Sequence, residues 1–153
     1  MVQGKWYPMG GDLTQPAALR RRIFGRGLDD LDAQAWQVVA LRGEEPVGTA
    51  RLWWRDGAFW LGDVGVLEEA RRQGFGDLLV RLLLFKALTH GARVIRLSCP
   101  KETAPFFARY GFTDDQNESA EEGGPIVMSI QGADVRLSGC GGACDGCGRG
   151  GAE

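Results

Sequence analysis

Apolar and polar positions divide the chain into stretches of different period. From Met1 to about Asp32 the composition is polar and mixed, with one helical pattern. Asp12 or Thr14 can cap that helix, Pro16 suits its first turn, Ala17 to Phe24 form its body, and Gly25 and Gly27 end it. Arg20, Arg21 and Arg22 are expected on its solvated face. From Ala35 to Val66 the period shortens to that of strands. AWQVVALR is a first run and GEEP a turn; in VGTARLWW, Thr49, Arg51 and Trp53 alternate against Ala50 and Leu52. FWLGDVGV follows as its antiparallel partner, because Asp56-Gly57 between two apolar runs suits a hairpin turn that needs positive φ. Gly62 and Gly65 interrupt this third run and point to a bulge, or to close approach by another backbone or a ligand.

The stretch from about Phe75 to His90 returns to a helical period. Leu78, Leu79, Val80, Leu82, Leu83, Leu84, Phe85 and Leu88 cover most of its circumference, which predicts a largely buried helix. Asp77 suits its first turn, His90 a capping role at its C-terminus, and Gly91 a stop. ARVIRLSCP is then a strand parallel to FWLGDVGV, closing a right-handed β-α-β crossover. Thr103 can cap a short helix reaching Tyr110, with Pro105 in its first turn and Gly111 at its end. DDQNESAEEGG reads as a surface loop, and PIVMSIQGADVRL closes the sheet. From Ser138 apolar periodicity disappears. The chain therefore divides into a core of residues 1–137 and a tail of residues 138–153, expected to be flexible and rich in Cys and Gly.

Composition narrows the possibilities. A chain of 153 residues buries one sizeable core and is too short for two ordinary domains. A formal charge of −2 lacks the basic footprint of a nucleic-acid binder, so no nucleic-acid partner is expected. The longest apolar run, Leu78 to Leu88, carries Arg81 and Lys86 and falls short of the roughly 20 residues a membrane crossing needs. MVQGKWYPMGGD has no signal-peptide layout. A cytoplasmic protein without membrane attachment is the expectation, with thiols kept reduced. In that setting Cys140, Cys144 and Cys147, spaced C-x3-C-x2-C, are candidate ligands for Zn²⁺ or an iron–sulfur cluster, the fourth ligand coming from elsewhere or from another chain. The competing reading is a tail with incidental cysteines. Cys99, on the RVIRLSC strand, suits a buried apolar position better than a fourth ligand.

RRQGFG, residues 71–76, joins a buried strand to the buried helix. Glycines at 74 and 76 let backbone amides approach an anion, the helix dipole adds partial positive charge, and Arg71 and Arg72 add formal charge. The preceding strand is antiparallel, unlike that of a dinucleotide fold, and no GKT or GKS follows, which argues against a nucleoside-triphosphate loop.

The block VGVLEEARRQGFGDLLVRLLL resembles the acetyl-CoA-binding motif of the GNAT superfamily of N-acetyltransferases, R/Q-x-x-G-x-G/A, met by Arg71, Gly74 and Gly76. VGTARL, RVIRLSC and APFFARYGF are similar to further pieces of the family in order and spacing, the last to A-x-x-F-Y-x-x-x-G-F. ALRRRIFGRGLDDLDAQAW resembles the N-terminal helix region of small bacterial members, so the likeness spans about residues 12 to 130. It implies an α/β fold whose central, mostly antiparallel sheet has splayed fourth and fifth strands and about four flanking helices. It also implies that pantetheine lies between those strands, that Arg71, Arg72, Gln73, Gly74, Phe75 and Gly76 hold the pyrophosphate, and that the amides of Val64, Gly65 and Val66 polarise the thioester carbonyl.

The implied activity is transfer of an acetyl group from acetyl-CoA to a primary amine of a small molecule or protein, by a monomer or homodimer. A base and an acid are needed. Asp63, on the fourth strand beside the expected thioester, is the candidate base, with pairing to an arginine of a neighbouring strand as its structural alternative. The family's tyrosine acid falls on Phe107; Tyr110, three residues on, is the candidate substitute, with packing at a helix end as its alternative. Trp36, Trp53, Trp54 and Trp60 are expected mainly in sheet packing, with one or two able to line an acceptor pocket. The rival function is a non-catalytic acyl-CoA-binding sensor with a metal- or redox-responsive cysteine tail.

Overall fold

The computed structural model describes residues 2–115 and 124–136. In chain order these form β1 (Val2–Tyr7), α1 (Thr14–Phe24), β2 (Ala35–Arg42), β3 (Glu45–Arg55), β4 (Ala58–Val66), α2 (Phe75–Thr89), β5 (Val94–Cys99), α3 (Ala104–Ala108), β6 (Thr113–Asp114) and β7 (Ile126–Gln131), with short 3-10 turns between several of them. The seven strands make one mixed sheet in the order β1-β2-β3-β4-β5-β7-β6. Only β4 and β5 run parallel, joined through α2 as the crossover pattern requires. Three α-helices, rather than about four, flank the sheet among the described residues.

Local chemistry explains most of the elements. Asp56 and Gly57 both adopt positive φ, 50° and 80°, so β3 and β4 join through the tight turn that their sequence signals. The central strands bury both faces. Val38, Ala40, Ala50 and Leu52 join the core beneath α2, whereas Val39 and Leu41 pack against Leu19 of α1. On α2, Leu79, Val80, Leu83, Leu84 and Ala87 are fully buried. Each large apolar side chain among them contributes on the order of 1.5–3 kcal/mol through burial. β1 is the element that apolar spacing does not reveal. Its VQGKWY sequence has little alternation, and pairing with β2 rather than local propensity makes it a strand.

Arg20 departs from the expected solvated face: it is fully buried. Nη1 donates to Asp32 Oδ2 at 2.8 Å and Nη2 to Gln37 Oε1 at 2.7 Å, while Gln37 Nε2 donates to Asp32 Oδ1 at 2.6 Å. Beside it, Arg51 of β3 donates to both oxygens of Asp29, at 2.7 and 3.1 Å. A charged network therefore bolts α1 to the sheet. Burial pushes the Asp32 carboxyl upward, but hydrogen bonds from Arg20 and the Asp29 amide, with the charges of Arg20 and Arg51, hold it well below the usual carboxylate range. The hydrogen bond from Arg51 lowers Asp29 as well.

Two outcomes follow. Arg20→Ala leaves Asp32 buried without its main partner and should cost about 3–5 kcal/mol in denaturant unfolding, whereas Arg22→Ala, half-exposed beside Glu69, should stay within about 0.5 kcal/mol. Because both carboxyls titrate lower in the folded than in the unfolded chain, their stabilisation is complete above the unfolded aspartate value of about 3.9 and is lost as pH falls below it. Thermal unfolding from pH 7 to pH 2 should show that loss, and Asp32→Asn should flatten it.

Candidate active site

The β4–β5 ladder is short. Phe59 pairs with Ile95, Trp60 with Arg96 and Leu61 with Leu97; beyond these pairs the two strands continue without pairing. The cause lies in β4. Thr49 pairs with Gly65 but Arg51 pairs with Gly62, so Asp63 and Val64 together face Ala50 in a β-bulge. Asp63 sits at φ 50°, a left-handed conformation that aspartate tolerates better than most residues. The edge of β4 from Gly62 to Val66 is thereby released from β5.

A cleft of about 880 Å³ opens beside that edge. It is lined by Val64, Gly65 and Val66 of β4, by Arg71, Arg72, Gly74, Phe75 and Gly76 of the following loop and helix, and by Asp77, Thr103, Phe106 and Arg109. The residues expected to hold the coenzyme thus surround one space, except Gln73. Its side chain turns aside to accept from Arg42 at 3.3 Å. Arg72 and Gly74 take positive φ, 66° and 87°, and Gly74 caps α2. The amides of Phe75, Gly76 and Asp77 lie in the first turn, where a helix supplies no backbone acceptor. Arg71 Nε donates to Val66 O at 3.1 Å, tying the loop to the strand end. Free first-turn amides, a helix N-terminus and two arginines beside an unpaired strand edge fit a diphosphate followed by an extended amide chain.

Gly65 has a second explanation. A Cβ there would lie 2.6 Å from Phe24 Cζ and 2.7 Å from Ile23 Cγ2, so the end of α1 packs directly on the strand. Similarly, a Cβ on Gly62 would lie 3.0 Å from the Trp53 ring.

A second pocket, of about 470 Å³, occupies the fork between the diverging strands. Leu61, Leu97, Phe24, Phe106 and Phe107 make its apolar walls, Ser98, Cys99 and Thr103 add polar groups, and its charged groups are Arg26 and Asp63. Burial pushes the Cys99 thiol up, so it stays neutral. No tryptophan lines either space; Trp36 stacks on His90 at 4.7 Å between ring centroids, and Trp53 lies under the Arg51 guanidinium at 5.1 Å. The aromatic lining comes instead from phenylalanines.

Asp63 lies in this pocket wall, enclosed by cations. Arg26 donates to Oδ1 at 2.6 Å and Oδ2 at 3.2 Å, and the Nε atoms of Arg51 and Arg20 lie 3.2 and 3.6 Å from Oδ2. The candidate base and its structural alternative are therefore the same geometry. Tyr110 lines neither space. It is 2% exposed, and its hydroxyl donates to Asp77 Oδ1. Burial and that bond raise its pKa. Asp77 Oδ2 accepts from Arg81 at 2.9 Å, so both carboxylate oxygens beside the glycine-rich loop are engaged. Sequence inspection passes over Arg26 and Phe24; their only local mark is the flanking glycine pair in FGRG.

Cys140, Cys144 and Cys147 lie outside the described residues, among which no cluster of His, Cys, Asp or Glu is placed to hold a metal. No helix of the described residues is long and apolar enough to cross a membrane.

Residues 33–114 match the acetyltransferase (GNAT) domain. An uncharacterized N-acetyltransferase, YjcF of Bacillus subtilis, is 29% identical over 85 residues, which are 56% of this chain and 61% of that relative; the chain thus spans less than two thirds of it. An acyl-CoA N-acyltransferase from Pseudomonas aeruginosa shares the fold at a TM-score of 0.73 and 22% identity, over 84% of this chain and 99% of that one. A GNAT family acetyltransferase from Elizabethkingia anophelis, solved with acetyl-CoA bound, does so at 0.67 and 15%, over 85% and 97%. With the family domain matched over more than half of this chain, on a sheet that forks beside a glycine-rich helix start, the chain belongs to the GNAT acetyltransferase family.

Proposed function

We propose that the chain is an acetyl-CoA-dependent N-acetyltransferase acting on a primary amine of a small molecule or an exposed protein group. The observation that carries this is the junction of two spaces at one strand edge: the phosphate-type cleft and the apolar fork pocket share Phe24, Val64, Thr103 and Phe106. Acetyl-CoA would supply an activated acyl thioester there. Its diphosphate suits the amides of Gly74 to Asp77 with Arg71 and Arg72, and its amide-bearing arm suits the open edge of β4. The amides of Val64 to Val66 are the donors available to an acyl carbonyl.

Asp63 takes the first proton from the acceptor's ammonium group. The freed lone pair forms the N–C bond as the C–S bond gives its electron pair to sulfur. The second proton leaves the nitrogen as the amide forms, so one proton ends on sulfur and one in solvent. A free thiol titrates near ~8.5, so a departing thiolate needs little help at neutral pH. A phenylalanine at position 107 is compatible with turnover on that account. Tyr110 acts at one remove: by engaging Asp77 it keeps an unshielded carboxylate away from the coenzyme's phosphates.

One observation favours the rival, a non-catalytic acyl-CoA-binding module: no tyrosine hydroxyl of the described residues lines either pocket. Turnover separates the two. With calorimetric binding of acetyl-CoA established, an amine panel followed by free-thiol release should identify an acceptor; tight binding with no release from any amine leaves only the module.

The roles of single residues are equally measurable. Asp63→Asn, which keeps the left-handed backbone accessible, should lower kcat by about 10²–10⁴-fold with acetyl-CoA affinity retained. Tyr110→Phe should instead weaken acetyl-CoA binding by about tenfold, with kcat at saturation little changed. A collapse of kcat at unchanged affinity would make the Tyr110 hydroxyl the acid after all.

A further inference from the structure

Resting on this acetyltransferase reading, we infer that Arg26 selects the acceptor class: an amine that also carries a carboxylate, on an apolar body that fills the fork pocket. As the fork pocket stands, an ammonium group entering it meets a carboxylate already satisfied. Asp63 is gripped in a two-point bond by Arg26, with Arg20 and Arg51 close behind. Counted with Asp29 and Asp32, the cluster holds three guanidiniums against three carboxylates, so nothing is left to attract a cation. A bare amine is poorly served by such a wall.

The three arginines are not equivalent. Arg20 and Arg51 have side chains 0% and 6% exposed and are fixed by Asp32, Gln37 and Asp29; Arg26 is 51% exposed. It follows the left-handed Gly25 and precedes Gly27, outside α1, with its guanidinium 5.1 Å from the Phe24 ring centroid at the pocket rim. The Asp63 bond is the main reason its own pKa is raised, and in the pocket lining it has no other carboxylate. A carboxylate arriving in the pocket offers the guanidinium fork an equivalent two-point partner. Exchange costs Asp63 little, because Arg51 and Arg20 stay beside it. Both of their Nε–H groups lack a hydrogen-bond acceptor among the described residues and lie 3.2 and 3.6 Å from its Oδ2. Oδ1, vacated by Arg26, then faces the pocket and can accept from the ammonium group. One ion pair becomes two, and the acceptor's own acid uncovers its base.

The pocket walls set the remainder of the acceptor. Leu61, Leu97, Phe24, Phe106 and Phe107 enclose a volume suited to a small apolar side chain. An amino acid with an apolar side chain has all three parts.

The test compares L-phenylalanine, L-phenylalaninamide and phenethylamine on the full chain, by calorimetry in the presence of coenzyme A and by thiol release with acetyl-CoA. The amino acid should bind and react about 10- to 100-fold better than the two carboxylate-free amines. Arg26→Ala should erase that preference, raising KM rather than lowering kcat for the amino acid, and should improve the handling of phenethylamine, because Asp63 is then uncovered. Arg26→Lys, a charge without the fork, should restore part of it. Equal handling of acid and amide by the native chain overturns the inference, as does an Arg26→Ala loss that is the same for all three. If none of the three binds, the inference is also overturned. If the amino acid binds with the expected Arg26 dependence but neither it nor any amine of the panel is acetylated, the carboxylate-binding role of Arg26 stands and the acetyltransferase reading falls.

Discussion

An aspartate held in a left-handed turn by guanidinium groups from three parts of the chain is what forces β4 away from β5. Without the extra residue at the Asp63–Val64 bulge, the parallel ladder that pairs Leu61 with Leu97 would continue and close the fork. A left-handed residue is unfavourable by roughly 1–2 kcal/mol for most side chains. Here Asp63 is the residue type that suffers less, and its carboxylate ties the bulge to Arg20 of α1, Arg51 of β3 and Arg26 beyond α1. The same contacts that open the sheet on one edge thus hold the first helix over it. Gly65 completes this arrangement by letting Ile23 and Phe24 descend onto the strand, which places an aromatic wall between the two pockets.

How much of this was legible depended on the distance over which each feature is decided. The Asp56-Gly57 hairpin, the buried helix α2 and the parallel strand after it are written in consecutive residues, and they stand where periodicity places them. The glycine-rich start of α2 is equally local, and with three further ordered pieces it carried the family resemblance. β1 escaped notice because an edge strand is made by its neighbour. Arg20 was misplaced for a stronger reason. In RRR any of the three arginines can face solvent, and burial of one is decided by Asp32 and Gln37, 12 and 17 residues away. Arg26 and Phe24 were missed on the same ground, since only the fold brings FGRG to the strand fork. Gly62 and Gly65 were correctly tied to a bulge, yet their immediate neighbours are protein side chains.

A phenylalanine stands at position 107, where the family resemblance leads one to expect a tyrosine, and the hydroxyl of Tyr110 is engaged at Asp77. Phe107 lines the fork pocket and adds to its apolar character, which suits a site that binds by shape and by one ion pair. Tyr110, three residues further and past the end of α3, sends its hydroxyl to Asp77 at the start of α2. A first-turn carboxylate is favourable for the helix but unfavourable beside a bound diphosphate. The conflict is resolved by occupying both of its oxygens, one with Tyr110 and one with Arg81, while Arg109 lies within 3.8 Å. On the proposed reading the tyrosine would thereby serve the coenzyme cleft instead of the acyl group. Under the proposed function, chemistry in the fork would depend on amine deprotonation alone, and that step on how firmly Arg26 covers Asp63. If Asp63 is the base and Arg26 its gate, as proposed, acceptor choice and proton transfer would be one event at a single carboxylate, and selectivity would be set by what can displace a guanidinium and not by the acidity of a leaving-group donor.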